Sequence, residues 1–530
     1  MPSRRALAAE QWAMIGRITA ALGPDHLKRL TQFTARDVVI VTGMDRVDGV
    51  ILQSPLIGGL RLAGFEPVVL SESGGSDWLE AAYRAFGVSR FVYYETLLRP
   101  GPHPETDSLM VNAQSVERFI EQTYRGTAIG KYALSTLMRR LRDGNPELGD
   151  PRVRAALRNT LEQALRYTDA ISQLIDDLRP AGALILDRGY TPNGQLFDLC
   201  LDRADRCFTW NSAHRNGVLM LKRFHKGNRD RHPSTLSGDS WATMKSAPWS
   251  AQHWSRLDSE FERCYRSGEW FGGVGTQVDK RFPDPESLRS MLGLDPNKKT
   301  AVIFAHIFWD STFFWGTDLF GNFEKWFKAV VKSACANRDL QWLIKIHPGN
   351  LVKDALDGYT GEHSEEVAIR EVVGELPSHV RLLPAGFEVS TMSLREITDY
   401  CLTVRGTVGI EMSCYGIPVI TAGTGRYDRL GFTVDPDTPQ EYLDLVANLP
   451  ELPPMTPRQT ELARQFAYGL FIRRPTELTS IDFAYNKDRA ASLAVSVNGD
   501  GNFDPAEADD LRAIADWIQS GAEDFLRSAD

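Results

Sequence analysis

The chain has 530 residues, 42% hydrophobic and 24% charged, with a net charge of −9. That length exceeds one small core and predicts two or three domains of an ordinary globular kind. The acidic balance excludes a general basic surface for nucleic acid, so any anionic ligand must be met by local basic residues.

The opening segment "MPSRRALAAEQWAMIGRITAAL" is interrupted by Glu10, Gln11 and Arg17, which predicts an amphipathic helix rather than a signal peptide. No stretch approaches the ~18 uninterrupted apolar residues of a membrane span. Six cysteines without C-x-x-C spacing argue against a zinc site or a disulfide framework and fit a reducing cytoplasm. The expectation is a cytoplasmic protein, with peripheral docking on the inner face of the cytoplasmic membrane left open.

Strand-like and helix-like segments then alternate. "DVVIVTG" (37–43), "EPVVLSES" (66–73) and "VSRFVYYE" (88–95) are expected strands, with a helix over 45–62. From about 116 to 178 the pattern is helical, and "GALILDRGYTPNG" (182–194) returns as a strand ending at Asp187. "DRCFTWN" (205–211) follows as another strand, and 217–285 shows no periodicity long enough to assign. Alternation resumes with "TAVIFA", "QWLIKI", "VRLLP", "YCLTV" and "PVITAG" between 300 and 423. Such alternation predicts parallel sheets with crossover helices. The expected fold class is α/β, with two Rossmann-like domains facing a cleft in a GT-B architecture.

The expected boundaries are an N-terminal acceptor-side domain with a helical insertion (1–285), a C-terminal nucleotide-sugar domain (286–455), and a helical tail returning to the first domain (456–530). "NGDGNFDPAEADDL" (498–511) resembles a calcium loop. However, Phe503 stands at its sixth position and Asp509 at its twelfth. A helix start, with Asp504 as N-cap, Pro505 first and Glu507 closing a capping box, fits better.

In open α/β sheets ligands bind beyond the carboxyl ends of the strands. In the second half those ends offer His306 to Asp310, Lys345-x-His347, Arg405-Gly406-Thr407, and Gly423 to Arg426. This is a cationic rim on an acidic protein, suited to a phosphate-bearing ligand. The Gly406-Thr407 turn exposes backbone N–H groups at a helix start, and Glu411, one turn on, could accept from ribose hydroxyls. In "IKIHPGN" the proline holds His347 extended, so that its ring projects from a strand tip toward the same crevice. No metal is expected: the lone D-x-D, Asp435-Pro436-Asp437, has the character of a turn.

"IFAHIFWDS", "FEKWF", "IKIHPGN" and "VRGTVGIEMSCYGIPVITAG", in that order over about 300–445, resemble the C-terminal half of bacterial capsule-polysaccharide glycosyltransferases with an HP motif. That group includes Kdo-transferase-like and sialyltransferase-like enzymes. The resemblance implies that His347 and Gly406-Thr407 hold the donor's nucleotide phosphates. It also implies a nucleotide-sugar donor, with CMP-sugars favoured, and a glycan or glycolipid acceptor. Asp187, where similar proteins often carry histidine, is then the expected general base, with Asp45, Glu72, His214 and Asp198 in reserve. Lys345, Arg405, Glu411, His306 and Asp310 complete the expected donor site, and no cofactor is expected. Alternatives are a non-hydrolysing nucleotide-sugar epimerase and a catalytically silent nucleotide-binding subunit of capsule assembly.

Overall fold

Continuous apolar runs become strands buried on both faces. The computed structural model describes residues 4–23, 35–72, 77–310, 313–485, 493–498 and 508–527. In the first half, β1 (Asp37–Thr42), β2 (Phe65–Ser71), β3 (Arg90–Tyr93), β4 (Gly182–Ile185) and β5 (Cys207–Ser212) are parallel neighbours. An antiparallel β6 (Val218–Phe224) follows β5. In the second half, β7 (Thr300–Phe304), β8 (Gln341–Lys345), β9 (Val380–Leu383), β10 (Tyr400–Thr403) and β11 (Val419–Thr421) form a fully parallel sheet.

The spatial orders are β3-β2-β1-β4-β5 and β9-β8-β7-β10-β11. Both follow the 3-2-1-4-5 winding of Rossmann-like folds, in which the chain reverses direction between the first and fourth strands. Apolar clusters cover the two faces of each sheet, one pair around Val41 and Ile185, the other around Ile344 and Leu343. The molecule therefore has two Rossmann-like halves.

The helical stretch after β3 includes Ile129–Leu141 and the long helix Pro151–Leu178. Asp150 caps the latter by accepting from the N–H groups of Arg152 (2.7 Å) and Val153 (3.1 Å), a cap worth about 1 kcal/mol. These helices pack against Ile307, Trp309, Phe313 and Phe314 of the second half. The aromatic run after β7 is thus largely core, and only Trp315 and Phe323 of it reach the cleft described below.

Two expectations need correction. The segment 217–285, left unassigned from sequence, holds β6 and the helices Gly238–Ser246 and Ala251–Ser267. The second helix buries only Leu257, Phe261, Cys264 and Tyr265. That stripe has helical spacing but is diluted by charged neighbours.

The tail from 456 is helical only in part. Helix Pro457–Tyr468 leads to β12 (Pro475–Glu477), which pairs antiparallel with β6 at the edge of the first sheet, and then to a hairpin of β13 (Ile481–Tyr485) and β14 (Leu493–Val497). Three- to five-residue strands of mixed polarity carry too little periodicity to be seen in sequence. The final helix, Asp509–Ser520, lies against Val47–Leu62. A Cβ at Gly58 would stand 2.6 Å from Leu511, and one at Gly59 2.4 Å from Ile514, so this close approach requires glycine. The expected capping residues Asp504, Pro505 and Glu507, and most of the calcium-like loop, lie outside the described residues.

Candidate active site

A cleft of about 430 Å³ opens where the strand order of the second sheet reverses, at the carboxyl ends of β7 and β10. His306, Asp310, Lys345, His347, Arg405, Gly406, Thr407 and Glu411 all line it.

His347 leaves β8 through Ile346, and its Nδ1 accepts from the N–H of Gly349 (3.1 Å). The ring proton therefore sits on Nε2. Burial, then the Lys345 charge, lowers the imidazole to about 4, so it is a neutral N–H donor near pH 7. Burial, then Lys280, lowers the Lys345 ammonium to about 7, and it donates to the carbonyls of Ile346 (3.0 Å) and Pro384 (3.3 Å).

His306 joins the two central strands. Its Nε2 accepts from the N–H of Val404 (3.2 Å) and lies 3.1 Å from the hydroxyl of Thr403, which in turn accepts from the N–H of Gly406 (3.2 Å). A Cβ at Gly406 would stand 2.9 Å from that hydroxyl, so the turn needs glycine. The ring stacks on Phe323 at 4.5 Å, and burial, then His347, keeps it neutral. Helix Thr407–Ser413 starts at this turn and carries Glu411 inward. Burial raises the Glu411 carboxyl to about 7 against hydrogen bonds from Tyr265, Thr407 and Trp270. Arg405 is bound to Asp318 and to the carbonyl of Thr317 (3.2 Å).

Asp310 is already engaged. It accepts from the Tyr190 hydroxyl (2.7 Å), and Lys353 (3.1 Å) and Arg139 (3.7 Å) pair with it. Burial works to raise its carboxyl, but Lys353, Tyr190 and Arg139 outweigh that and hold it below the usual range. Its position is therefore a bridge between the halves.

Asp187 stands beside this bridge, beyond β4, rather than on the cleft wall itself. It accepts from the N–H of Gly189 (2.9 Å) and is exposed. Crowding by protein raises its carboxyl, the Gly189 N–H opposes this, and the charge of Asp310 raises it further. Two neighbouring carboxylates are thus pushed in opposite directions, a pattern that separates proton-handling groups from fixed charges.

The reserve residues serve the fold or stand apart. Glu72 accepts from Tyr167 (2.9 Å), Asp198 pairs with Arg229 (2.6 Å), and Asp45 is exposed at the end of β1. His214 is 2.7 Å from Glu260, which also meets Arg215 and Arg263, each at 3.1 Å. With Cys264 these residues form the only group of metal-ligand side chains within reach of one another among the described residues. Two guanidiniums already supply the positive charge there.

The sequence did not single out Tyr265, Trp270 and Gln277 from the unassigned segment, or His232 and Ser234 from the loop after β6, and it offered Arg426 only as the last residue of the strand end Gly423 to Arg426. Trp270 stacks on Tyr265 at 5.2 Å, and Gln277 accepts from Ser390 (2.8 Å), tying its loop to the second half. The glycine-rich "WFGGVGTQ" was the one local signal available for this wall.

The chain matches no protein-family model and no curated protein. Among solved structures it is similar to the β-Kdo 2,7 transferase of Thermosulfurimonas dismutans KpsC, with 12% identity, TM-score 0.35, and 67% of this chain and 89% of that one covered. The β-Kdo 2,4 transferase of the same protein gives 13% identity, TM-score 0.33, and 54% and 79%. A putative UDP-N-acetylglucosamine 2-epimerase from Listeria monocytogenes gives 12%, 0.28, and 93% and 100%. Likeness at this level carries no argument, so the architecture rests on the two sheets themselves.

Proposed function

We propose that the protein is a metal-independent glycosyltransferase that moves a sugar from a nucleotide-sugar donor to a surface polysaccharide or glycolipid acceptor. The observation that carries this reading is the cleft at the switch point of the second sheet. Neutral His347, the Gly406-Thr407 turn and Arg405 line it together, and the exposed Asp187, its carboxyl raised, stands nearby beside the Asp310 bridge.

In this mechanism the donor phosphate lies against His347 Nε2–H and the start of helix Thr407–Ser413. Asp187 takes the proton of the acceptor hydroxyl as that oxygen forms its bond to the anomeric carbon. The bond to the leaving phosphate oxygen breaks, and the developing charge is met by N–H donors already in place. A CMP-linked sugar is the favoured donor, and the acceptor approaches from the first half.

Glu411 favours a second reading. A buried carboxyl titrating at about 7 suits the proton exchange of a nucleotide-sugar epimerase. Conversion of a donor sugar with no acceptor present would select it.

Thermal unfolding of wild type and His347→Ala against CMP, CDP, UMP, UDP and GDP tests the main reading. One nucleotide at ~100 times its Kd adds about 2.7 kcal/mol of stability. His347→Ala should weaken that nucleotide by about 10- to 150-fold, the worth of one charge-assisted hydrogen bond. No response to any nucleotide would sink the assignment.

A further inference from the structure

Two guanidiniums, those of Arg405 and Arg426, line one wall of the cleft, a third, that of Arg188, lies over Trp315 of the same wall, and only Arg405 has an ion-paired carboxylate among the described residues. Arg188, Arg405 and Arg426 are 3%, 4% and 9% exposed. Arg405 pairs with Asp318, yet its Nε and Nη1 are buried with no hydrogen-bond partner. Arg426 donates through Nε to the carbonyl of Ser234 (3.3 Å) and through Nη1 to that of Arg405 (3.1 Å). Arg188 donates through Nη2 to the carbonyls of Phe314 (3.2 Å) and Arg229, and its Nε has no partner. Among the described residues, neither Arg188 nor Arg426 has a carboxylate within ion-pair distance.

His232 belongs to the same wall. Its backbone N–H donates to the carbonyl of Gly425 (2.9 Å), which seats it beside Arg426. Its Nδ1 accepts from the N–H of Ser234 (3.0 Å), placing the ring proton on Nε2. The ring lies 5.2 Å from Trp315, which the Arg188 guanidinium also covers at 4.4 Å. Burial, then the charges of Arg426, Arg405 and Arg188, keeps this imidazole neutral.

An isolated buried charge is costly unless something of opposite sign meets it. Asp318, bound to Arg405, is the one carboxylate in ion-pair contact with the three among the described residues. Glu411 acts on Arg426, and Asp198 and Asp230 on Arg188, only from beyond ion-pair distance. The wall therefore carries positive charge that the chain offsets only in part. It is also separate from the His347 position: His306 lies between them, and its ring feels His347 as well as Arg405 and Arg426.

We propose that Arg405, Arg426 and His232 form a second oxyanion subsite, with Arg188 reinforcing it from behind Trp315, so that the cleft selects a donor bearing two separated anionic groups. This rests on the nucleotide-sugar reading above and deepens it. The first anion is the phosphate at His347; the second is either a further phosphate or a carboxylate on the transferred sugar.

Calorimetric titration of the full chain tests this in two arms. CMP against CDP and UMP against UDP report a second phosphate. UDP-glucose against UDP-glucuronate reports a sugar carboxylate. The expected result is that in one arm the more anionic member binds tighter by on the order of tenfold or more. Arg426→Gln should remove that preference and move the less anionic member by under about twofold. Arg426→Lys should keep part of it, which guards against a folding defect, and His347→Ala should weaken both members together. A preference in neither arm, or one that survives Arg426→Gln, overturns the subsite alone. If no nucleotide binds the wild type, the subsite and the proposed function fall together.

Discussion

Buried cations occur in two places in this molecule, and the chain treats them differently. At the edge of the first sheet, Lys222 and Arg474 both meet Asp524, at 2.8 and 3.5 Å, and the carboxylate also accepts from the N–H of Ser237 (2.6 Å). Burial works to raise the Asp524 carboxyl, but Arg474 and Lys222 overcome it and hold it far below the usual range. In the cleft, Arg426 is also buried, but its hydrogen bonds go to carbonyls and it has no ion-paired carboxylate among the described residues. In both places burial works against the charge. Where the chain supplies the counter-charge the cluster is an anchor; where it does not, the cluster has the form of a receptor for an anion.

The contrast can be broken or sharpened by experiment. Asp187→Asn should lower the transfer rate by about 10²- to 10⁴-fold, the usual worth of a general base, with no change in melting temperature. In wild type the rate should fall as pH drops through a value above the ordinary aspartate range, because Asp187 must be ionised to take a proton. A stability loss without a rate loss would move Asp187 to the structural class.

Asp524→Ala should do the reverse. Leaving Lys222 and Arg474 buried without their carboxylate should cost about 3–5 kcal/mol in urea unfolding, with catalysis retained by the folded fraction. Unchanged stability would remove one side of the comparison.

Nucleotide affinity should weaken by on the order of tenfold between pH 6 and pH 8. Over that interval Lys345 loses its proton and Glu411 gains a negative charge, both near 7, so each change makes the cleft less positive. Titrations at three pH values, repeated with Lys345→Met, check this, since the variant should lose part of the dependence.

The smallest effect is expected from Arg426→Met. Removing a buried cation that lacks a carboxylate should stabilise the ligand-free protein by about 1 kcal/mol while weakening anion binding. A destabilised variant would class Arg426 with the anchor.

Much of the second half was legible because fully buried parallel strands are uninterrupted apolar runs. "TAVIF" and "QWLIK" announce both their identity and their ends. The residues at those ends then follow from position alone, which is why His306, His347 and Arg405 could be named together. The opposite wall was not legible. Tyr265 and Trp270 come from a helix and loop in which charged residues are interleaved with the apolar ones, and Tyr265 reaches Glu411 across 146 residues of chain. The role of Asp310 was also hidden, since its partners Tyr190 and Arg139 come from the other half of the molecule.

The pairing of β12 with β6 has a consequence for how the protein is made. The second sheet is complete once β11 has been synthesised, but the first waits for residues 475–477, more than 250 positions after β6. Until then β6 presents an unpaired edge, the kind of surface that other chains recruit. At ~5–20 residues per second on the ribosome, that edge stays open for on the order of ten seconds or more. The half made first is therefore the half finished last, and a nascent chain stalled between β11 and β12 would be the form most in need of a chaperone.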